Sequence, residues 1–168
     1  MKSTLRSQSG ITLVILVITM VVLAILSVSI VTIVKNNINN SKIHSFVTEL
    51  EIIEKKMYVI NKEISLGSTA YEDIGTKYDD IEDVYDEDVL AQVETVLEQS
   101  GVVDYSNYRY LSEKNGDLLK LGLKNIAQDV IISYDNSVVY SYDGILIDGK
   151  TYYSIKEVKM LKGTEQND

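Results

Sequence analysis

The residues best suited to chemistry form an acidic run in the middle of the chain. The run contains the carboxylates Asp79, Asp80, Glu82, Asp83, Asp86, Glu87 and Asp88. Oxygens of this kind suit Ca²⁺, but the run lacks the Asp-x-Asp-x-Asp-Gly pattern of an EF-hand loop. We therefore interpret it as a solvated loop that leads into a helix. Calcium binding by Asp79, Asp80, Glu82, Asp83 and Asp86 stays open as the alternative, and no other metal site is predicted.

The remaining reactive side chains are too few to build an enzyme active site. His44 is the only histidine, and the chain contains no cysteine. A nucleophilic triad or a zinc site therefore has no parts, and no spacing singles out a pair of carboxylates for glycoside cleavage. We interpret His44 as an exposed or packing residue, and we expect neither an enzyme activity nor a cofactor.

Tyrosine supplies nearly all of the aromatic side chains, with 12 Tyr, one Phe and no Trp. Such a composition fits a surface that binds carbohydrate or adheres to other surfaces. It also fits aromatic side chains that pack on the faces of a β-sheet, which is the ordinary role of alternating tyrosines in strands. We favour sheet packing.

The charge is divided unevenly along the chain, whose net charge is −9. Every acidic residue lies after Val34, whereas Lys2 and Arg6 give the first residues a positive charge. A strongly acidic surface repels nucleic acid, because phosphate binding requires clustered Lys and Arg. We therefore expect no nucleic acid partner bound by charge.

Residues 11–34 form an apolar segment that contains no charged side chain. As a helix this segment is about 36 Å long, which is enough to cross a hydrocarbon core of about 30 Å. A buried helix of a soluble protein rarely has so long an apolar run, and a signal peptide cleaved at Ser27-Val28-Ser29 would have a shorter one. We therefore predict a retained membrane helix, with Lys2 and Arg6 holding the N-terminus in the cytoplasm.

The junction before the apolar segment has a distinctive pattern. A short basic leader, residues 1–10, ends in Ser9-Gly10 and is followed directly by Ile11, Thr12 and Leu13. This junction resembles the leader of type IV prepilins and type II secretion pseudopilins. The resemblance implies cleavage after Gly10 by a prepilin peptidase and a mature chain that begins at Ile11, whose amine is commonly methylated. Glycine suits the cut because it presents a bare backbone to the protease.

The resemblance also implies a role for the helix that follows the cut. In this family the apolar helices of sibling subunits pack together in a filament core, after extraction from the membrane by an assembly platform. The matching positions include Leu13, Ile15 and Leu16, and small residues such as Ala24 and Ser27 permit close approach. Most pilins carry a glutamate where this chain has Ile15, and in this family its lack is typical of tip or minor subunits and of Gram-positive pilin-like proteins.

The sequence beyond the apolar segment is predicted to fold into an α+β domain outside the cell membrane. Residues 35–66 continue the helix, with an apolar row at Ile43, Phe46, Leu50, Ile53, Met57, Ile60 and Ile64. We predict that this row packs on the domain's own sheet, and a seam for a partner helix is the alternative. Residues 67–168 complete the extracytoplasmic domain. The predicted fold is a long N-terminal helix packed on a small antiparallel β-sheet, as in pilins.

Turn and strand patterns subdivide residues 67–168. Residues 68–85 are predicted to be irregular, and a short helix begins after Asp86 and ends before Gly101. A brief helix is predicted at residues 117–121, and strands at residues 108–111, 130–134, 138–142, 145–147 and 150–155. Asp148-Gly149 is a strong signal for a two-residue hairpin turn. We expect these last strands to form one antiparallel meander of three or four strands.

Together these observations predict a structural pilin-like subunit, a minor pilin or pseudopilin of a type IV pilus or a type II secretion-like filament. The expected partners are a prepilin peptidase, sibling subunits, an assembly platform and the membrane. Two alternatives stay open. One is a single-pass membrane protein whose exterior domain binds a ligand and never polymerises, and the other is a secreted protein, such as an enzyme, with an ordinary signal peptide.

Overall fold

The computed structural model describes the backbone of residues 5–164. It describes the side chains of residues 13, 15–24 and 39–161. The chain divides into two compact units, Met1–Lys42 and Ile43–Asp168. Helix α1, Leu5–Ser65, contributes residues to both units. All other helices and strands belong to the second unit.

The second unit mixes helices with antiparallel sheet, which confirms the predicted α+β class. After α1 the order is β1 (Thr76–Lys77), a 3₁₀ turn (Tyr78–Asp80), α2 (Ile81–Val84), α3 (Glu87–Gln99), β2 (Tyr108–Leu111), α4 (Asp117–Lys120), β3 (Val130–Ser133), β4 (Val138–Ser141), β5 (Ile145–Ile147), β6 (Lys150–Tyr152) and α5 (Ile155–Thr164). The predicted helix after Asp86, the brief helix near residue 117 and the strand at residues 108–111 are therefore confirmed.

The main sheet has four antiparallel strands in the order β1-β2-β3-β4. Strand β3 lies inside the sheet and is buried along its whole length. Since side chains alternate across a strand, Val130 and Ile132 point to one face while Ile131 points to the other. The first face packs against α1 and the second against α3. The sheet is thus covered by helices on both sides, which accounts for the continuous apolar run of β3.

The apolar row of α1 packs against the first face of the sheet. Leu50, Ile53, Met57 and Ile60 have no exposed surface, and they share one core with Ile132. Complete burial of such a side chain contributes about 1.5–3 kcal/mol to folding. The prediction that the row packs on the protein's own sheet is confirmed, so this face is not a seam for a partner helix.

Helix α1 ends as its sequence predicts, at a glycine in the left-handed region. Gly67 has a φ of +92°. Its N–H donates to the Ile64 carbonyl at 2.8 Å, and the Ser68 N–H donates to the Glu63 carbonyl at 3.0 Å. These two bonds satisfy carbonyl groups that the last helical turn would otherwise leave without donors.

The prediction of an irregular segment at residues 68–85 was wrong in part. Strand β1 pairs with β2 in the register Thr76↔Tyr110, and the 3₁₀ turn and α2 follow it. Ile81, which has no exposed surface, anchors α2 in the core beneath α3. The segment is ordered by these distant partners, which local sequence patterns do not reveal.

The prediction of a single meander was also wrong. Strands β5 and β6 form a separate two-stranded sheet. Their turn is the predicted one, because Asp148 and Gly149 have φ values of +49° and +85° and Ile147 pairs with Lys150. At the edge of β4, the Ser141 N–H instead donates to the Tyr153 carbonyl at 2.8 Å.

The last predicted strand, residues 150–155, is too long. Strand β6 ends at Tyr152, and α5 begins at Ile155. The helix begins there because Ser154 and Glu157 form a capping box, in which each side chain accepts a hydrogen bond from the other residue's backbone N–H.

Candidate functional site

In the apolar helix of the first unit, all the side chains that the structure describes, residues 13 and 15–24, are exposed. Between 47% and 67% of the surface of Leu13, Ile15, Leu16, Val17, Ile18, Met20, Val21, Val22 and Leu23 is exposed. Positions 15–18 span a full helical turn, so no face of the helix is polar or covered there. Soluble monomeric proteins rarely leave so large a continuous apolar surface in water. A helix that is apolar on every side is typical of a membrane or of a packed assembly.

Thr19, the one polar side chain among residues 13 and 15–24, is compatible with an apolar environment. The Thr19 hydroxyl donates to the Leu16 carbonyl at 2.9 Å, so its hydrogen bond is satisfied within the helix. Ile15 is 55% exposed. Ala24 is also exposed.

The predicted processing site belongs to the same helix. Gly10, Ile11 and Thr12 lie within α1, but their side-chain surroundings, like those of Ser27, lie outside the described residues. A search of the described residues, whose side chains are those of residues 13, 15–24 and 39–161, finds no helix that is long and apolar enough to cross a membrane.

The acidic run is distributed over three short elements. Asp79 and Asp80 lie in the 3₁₀ turn, Glu82 and Asp83 lie in α2, and Asp86 precedes α3 as its N-cap residue. Within the described part of the chain, no three His, Asp or Glu side chains are grouped so that they could hold a metal ion. The structure therefore does not bring the calcium candidates together. His44 is exposed on α1.

Most of the tyrosines form the core between the sheet and α3. Tyr108, Tyr110 and Tyr153 are buried there, and Tyr78, Tyr85, Tyr105, Tyr140 and Tyr142 pack against them. Ring centroids of Tyr85 and Tyr110 lie 5.1 Å apart at an interplanar angle of 90°, an edge-to-face geometry. Burial is the largest cause of the raised pKa of Tyr110, whose hydroxyl also donates to Asp129. For these tyrosines, the prediction of sheet packing is confirmed.

A polar cleft on the second unit was not predicted from the sequence. It has a volume of about 380 Å³ and lies beside the C-terminal end of α1, the loop before β1 and the end of β3. Arg109, the only arginine after Arg6, lines this cleft. The Arg109 Nη1 donates to the carbonyls of Glu72 at 2.7 Å, Gly75 at 3.3 Å and Ile74 at 3.4 Å.

Aromatic rings form one wall of this cleft. The Arg109 guanidinium carbon lies 5.6 Å from the ring centroid of Tyr134, a cation–π contact. The Tyr71 ring lies 6.5 Å from that of Tyr134. Burial raises the pKa of Tyr134 to about 12. The signal in the sequence was a cation between two tyrosines of a buried strand, Tyr108-Arg109-Tyr110, where an alternating side chain must find polar partners.

Comparison with protein-family models, with curated proteins and with solved structures found no match.

Proposed function

We propose that this protein is a pilin-like structural subunit, a minor pilin or pseudopilin of a type IV pilus or a type II secretion-like filament. The observation that carries the proposal is the apolar helix whose described side chains, residues 13 and 15–24, are all exposed. Removing this surface from water stabilises the protein by about 25 cal/mol per Å² of apolar area. A bilayer first, and the helices of sibling subunits later, provide the apolar surroundings that this surface requires.

The leader pattern supports the same proposal. Under this proposal, a prepilin peptidase cuts after Gly10 on the cytoplasmic side, and the mature chain begins at Ile11. The protein is then held in the cell membrane by residues 11–34, with the N-terminus in the cytoplasm and residues 67–168 outside. The partners are the peptidase, sibling pilin-like subunits and an assembly platform. The protein has no enzymatic role in this account.

The architecture of the second unit also supports it. A long helix packed on a small antiparallel sheet follows the order expected of pilins. The helix, the middle segment with α3 and the C-terminal strands come in this sequence along the chain. This arrangement lets one helix supply both a folded exterior domain and an assembly segment.

Ile15 supports a minor rather than a major subunit. In the filament core, the amine of Ile11 would have no glutamate partner, and a buried unpaired charge is costly. Ile15→Glu is therefore expected to increase incorporation into filaments, and Val17→Glu is the matched control, because it adds the same charge two positions away. Equal incorporation of the native chain and the Ile15→Glu variant would contradict this account of position 15.

Processing and assembly are tested together in cells that carry a prepilin peptidase. The native chain is expected to lose its leader and to appear in filaments sheared from the cell surface. Gly10→Val places a branched side chain at the cut and should block processing, whereas Ser3→Val in the same leader should not. A native chain that keeps its leader beside an active peptidase would refute the proposal.

The Arg109 cleft favours a second candidate, a membrane-anchored binding module that does not polymerise. Both candidates need the apolar helix, so the helix does not separate them. The content of sheared filaments separates the two candidates. A processed chain that is found only in the membrane fraction, and not in the filaments, favours the binding module.

A further inference from the structure

We propose that the Arg109 cleft binds a neutral saccharide of one or two rings. The cleft lies wholly within the second unit, so the inference does not rest on filament assembly. Its volume of about 380 Å³ falls in the range of about 300–1,000 Å³ that is usual for small-molecule sites.

The walls of the cleft are held in place before any ligand arrives. Asn61 Nδ2 donates to the carbonyls of Tyr134 and Asp135, each at 2.7 Å. Arg109 holds the loop before β1 through three carbonyls, and the Tyr71 hydroxyl donates to Glu63. Preorganised groups lose less conformational entropy on binding, which favours affinity for a small ligand.

Tyr71 offers the cleft an aromatic face. Its side chain is half-buried and lines the cleft, whereas the Tyr134 ring beside it is 8% exposed and stacked by Arg109. A sugar ring presents a face of C–H groups, which packs on an aromatic ring as other apolar groups do. Tyr71 can therefore hold a sugar face while the surrounding polar groups bond its hydroxyls.

The polar lining supplies both donors and acceptors. Of the Arg109 nitrogens, Nη1 alone donates to an acceptor among the described residues. The other Arg109 nitrogens and Lys77 are therefore available as donors to a ligand. Asp79 and Asp135 provide carboxylate acceptors, and Asn107 provides both kinds of group. Sugar hydroxyls both donate and accept, so this mixture matches them.

The charges of the lining disfavour an anionic ligand. Its basic side chains are Lys77 and Arg109, and its acidic ones are Glu72, Asp79 and Asp135. Since the carboxylates outnumber the basic groups, an anion meets net repulsion at an energetic cost. A neutral polyhydroxylated molecule avoids this cost and can bond to groups of both signs.

The experiment is saturation-transfer NMR on the full chain in detergent. The probes are glucose, galactose, N-acetylglucosamine, lactose and cellobiose, with glucuronate as the charged comparison. We expect transfer to the ring C–H protons of at least one neutral probe, and weaker or no transfer to glucuronate. Absence of transfer for every neutral probe, or a preference for glucuronate, would overturn the proposal.

Variants of Tyr71 locate the binding. Tyr71→Ala should weaken binding by about tenfold, and Tyr71→Phe, which keeps the ring but loses the bond to Glu63, should weaken it less. Tyr58→Ala is the matched control, since Tyr58 is 59% exposed on α1 and does not line the cleft. If Tyr71→Ala does not fold, titration of the native chain carrying labelled tyrosine rings decides: the Tyr71 signal should shift with the probe and the Tyr58 signal should not. Binding that leaves Tyr71 unaffected would refute the proposed site.

Discussion

Glu157 and Ser154 cap the N-terminus of α5 through reciprocal hydrogen bonds. One Glu157 oxygen, Oε2, accepts from the Ser154 N–H at 3.0 Å and from the Tyr153 N–H at 2.8 Å. The Ser154 Oγ in turn accepts from the Glu157 N–H at 3.3 Å. These bonds satisfy N–H groups that the start of a helix leaves without partners, so they fix the point where β6 gives way to α5.

Removal of this cap should destabilise the second unit. Ser154→Ala is expected to lower the free energy of unfolding by about 0.5–2 kcal/mol, because the first turn of α5 loses an acceptor. Ser154→Thr keeps the hydroxyl and should lose less. Urea unfolding followed by circular dichroism measures both, and equal losses for the two variants would show that the hydroxyl has no capping role.

The two faces of α1 should respond very differently to substitution. Ile53 has no exposed surface, whereas its neighbour Ile52 is 46% exposed. Ile53→Ala should lower the free energy of unfolding by about 2–5 kcal/mol, because it leaves a cavity against the sheet. Ile52→Ala should change it by no more than about 0.5 kcal/mol. Both changes introduce the residue that best favours helix, so the difference reports packing. Similar losses would contradict the orientation of α1.

Two glycines of the small sheet should tolerate alanine unequally. Gly149 has a φ of +85°, and an added Cβ would meet nothing within 4 Å. Gly149→Ala is therefore expected to cost only the backbone strain of about 1–2 kcal/mol. Gly144 also has a positive φ, and its Cβ would lie 2.6 Å from Thr151 Cγ2 and 2.9 Å from the Tyr152 carbonyl oxygen. Gly144→Ala should therefore be the more destabilising variant in thermal unfolding, and the reverse order would refute this packing.

Stability should fall at alkaline pH because of the tyrosine core. Burial raises the pKa of Tyr140 to about 12, and it is also the largest cause of the rise of the pKa of Tyr78 to about 12. Unfolding returns these hydroxyls to a pKa of about 10, so the folded state binds more protons between these values. Their contribution to stability is complete below pH of about 10 and is lost as the pH rises through about 12.

Ultraviolet absorbance of tyrosinate and urea unfolding measure this loss together. Tyr140→Phe removes one ionisable group and should make the alkaline decrease less steep. A free energy of unfolding that stays constant between pH of about 9 and about 12 would contradict the buried state of these hydroxyls.

Local patterns predicted the features that depend on neighbours in sequence. The apolar row of α1 has the helical period, so its buried face could be predicted from spacing alone. Gly67 and Asp148-Gly149 mark backbone conformations that few other residues adopt, and both occur where they were expected. The capping box of α5 was present in the sequence as Ser154-x-x-Glu157. A strand is predicted there instead because Tyr152, Tyr153 and Ile155 also favour a strand.

Features that depend on distant residues could not be predicted in this way. Strand β1 is short, and it lies beside β2 because Gly75 allows a close approach: a Cβ at this position would lie 2.5 Å from Leu111 Cδ1. The cleft combines residues between Ile64 and Asp135, which only the tertiary fold brings together. The place of Arg109 between Tyr108 and Tyr110 indicates that it needs polar partners, but the sequence does not record that these are the carbonyls of Glu72, Ile74 and Gly75.

Mass spectrometry of the mature N-terminus tests the central claim most directly. The protein is extracted from the membranes of cells that make it, and its first residue is identified. Cleavage after Gly10 predicts a chain that begins at Ile11, methylated on its amine and still carrying the apolar helix. A chain that begins at Met1, or a product in the medium that begins at Ile30, would contradict the account.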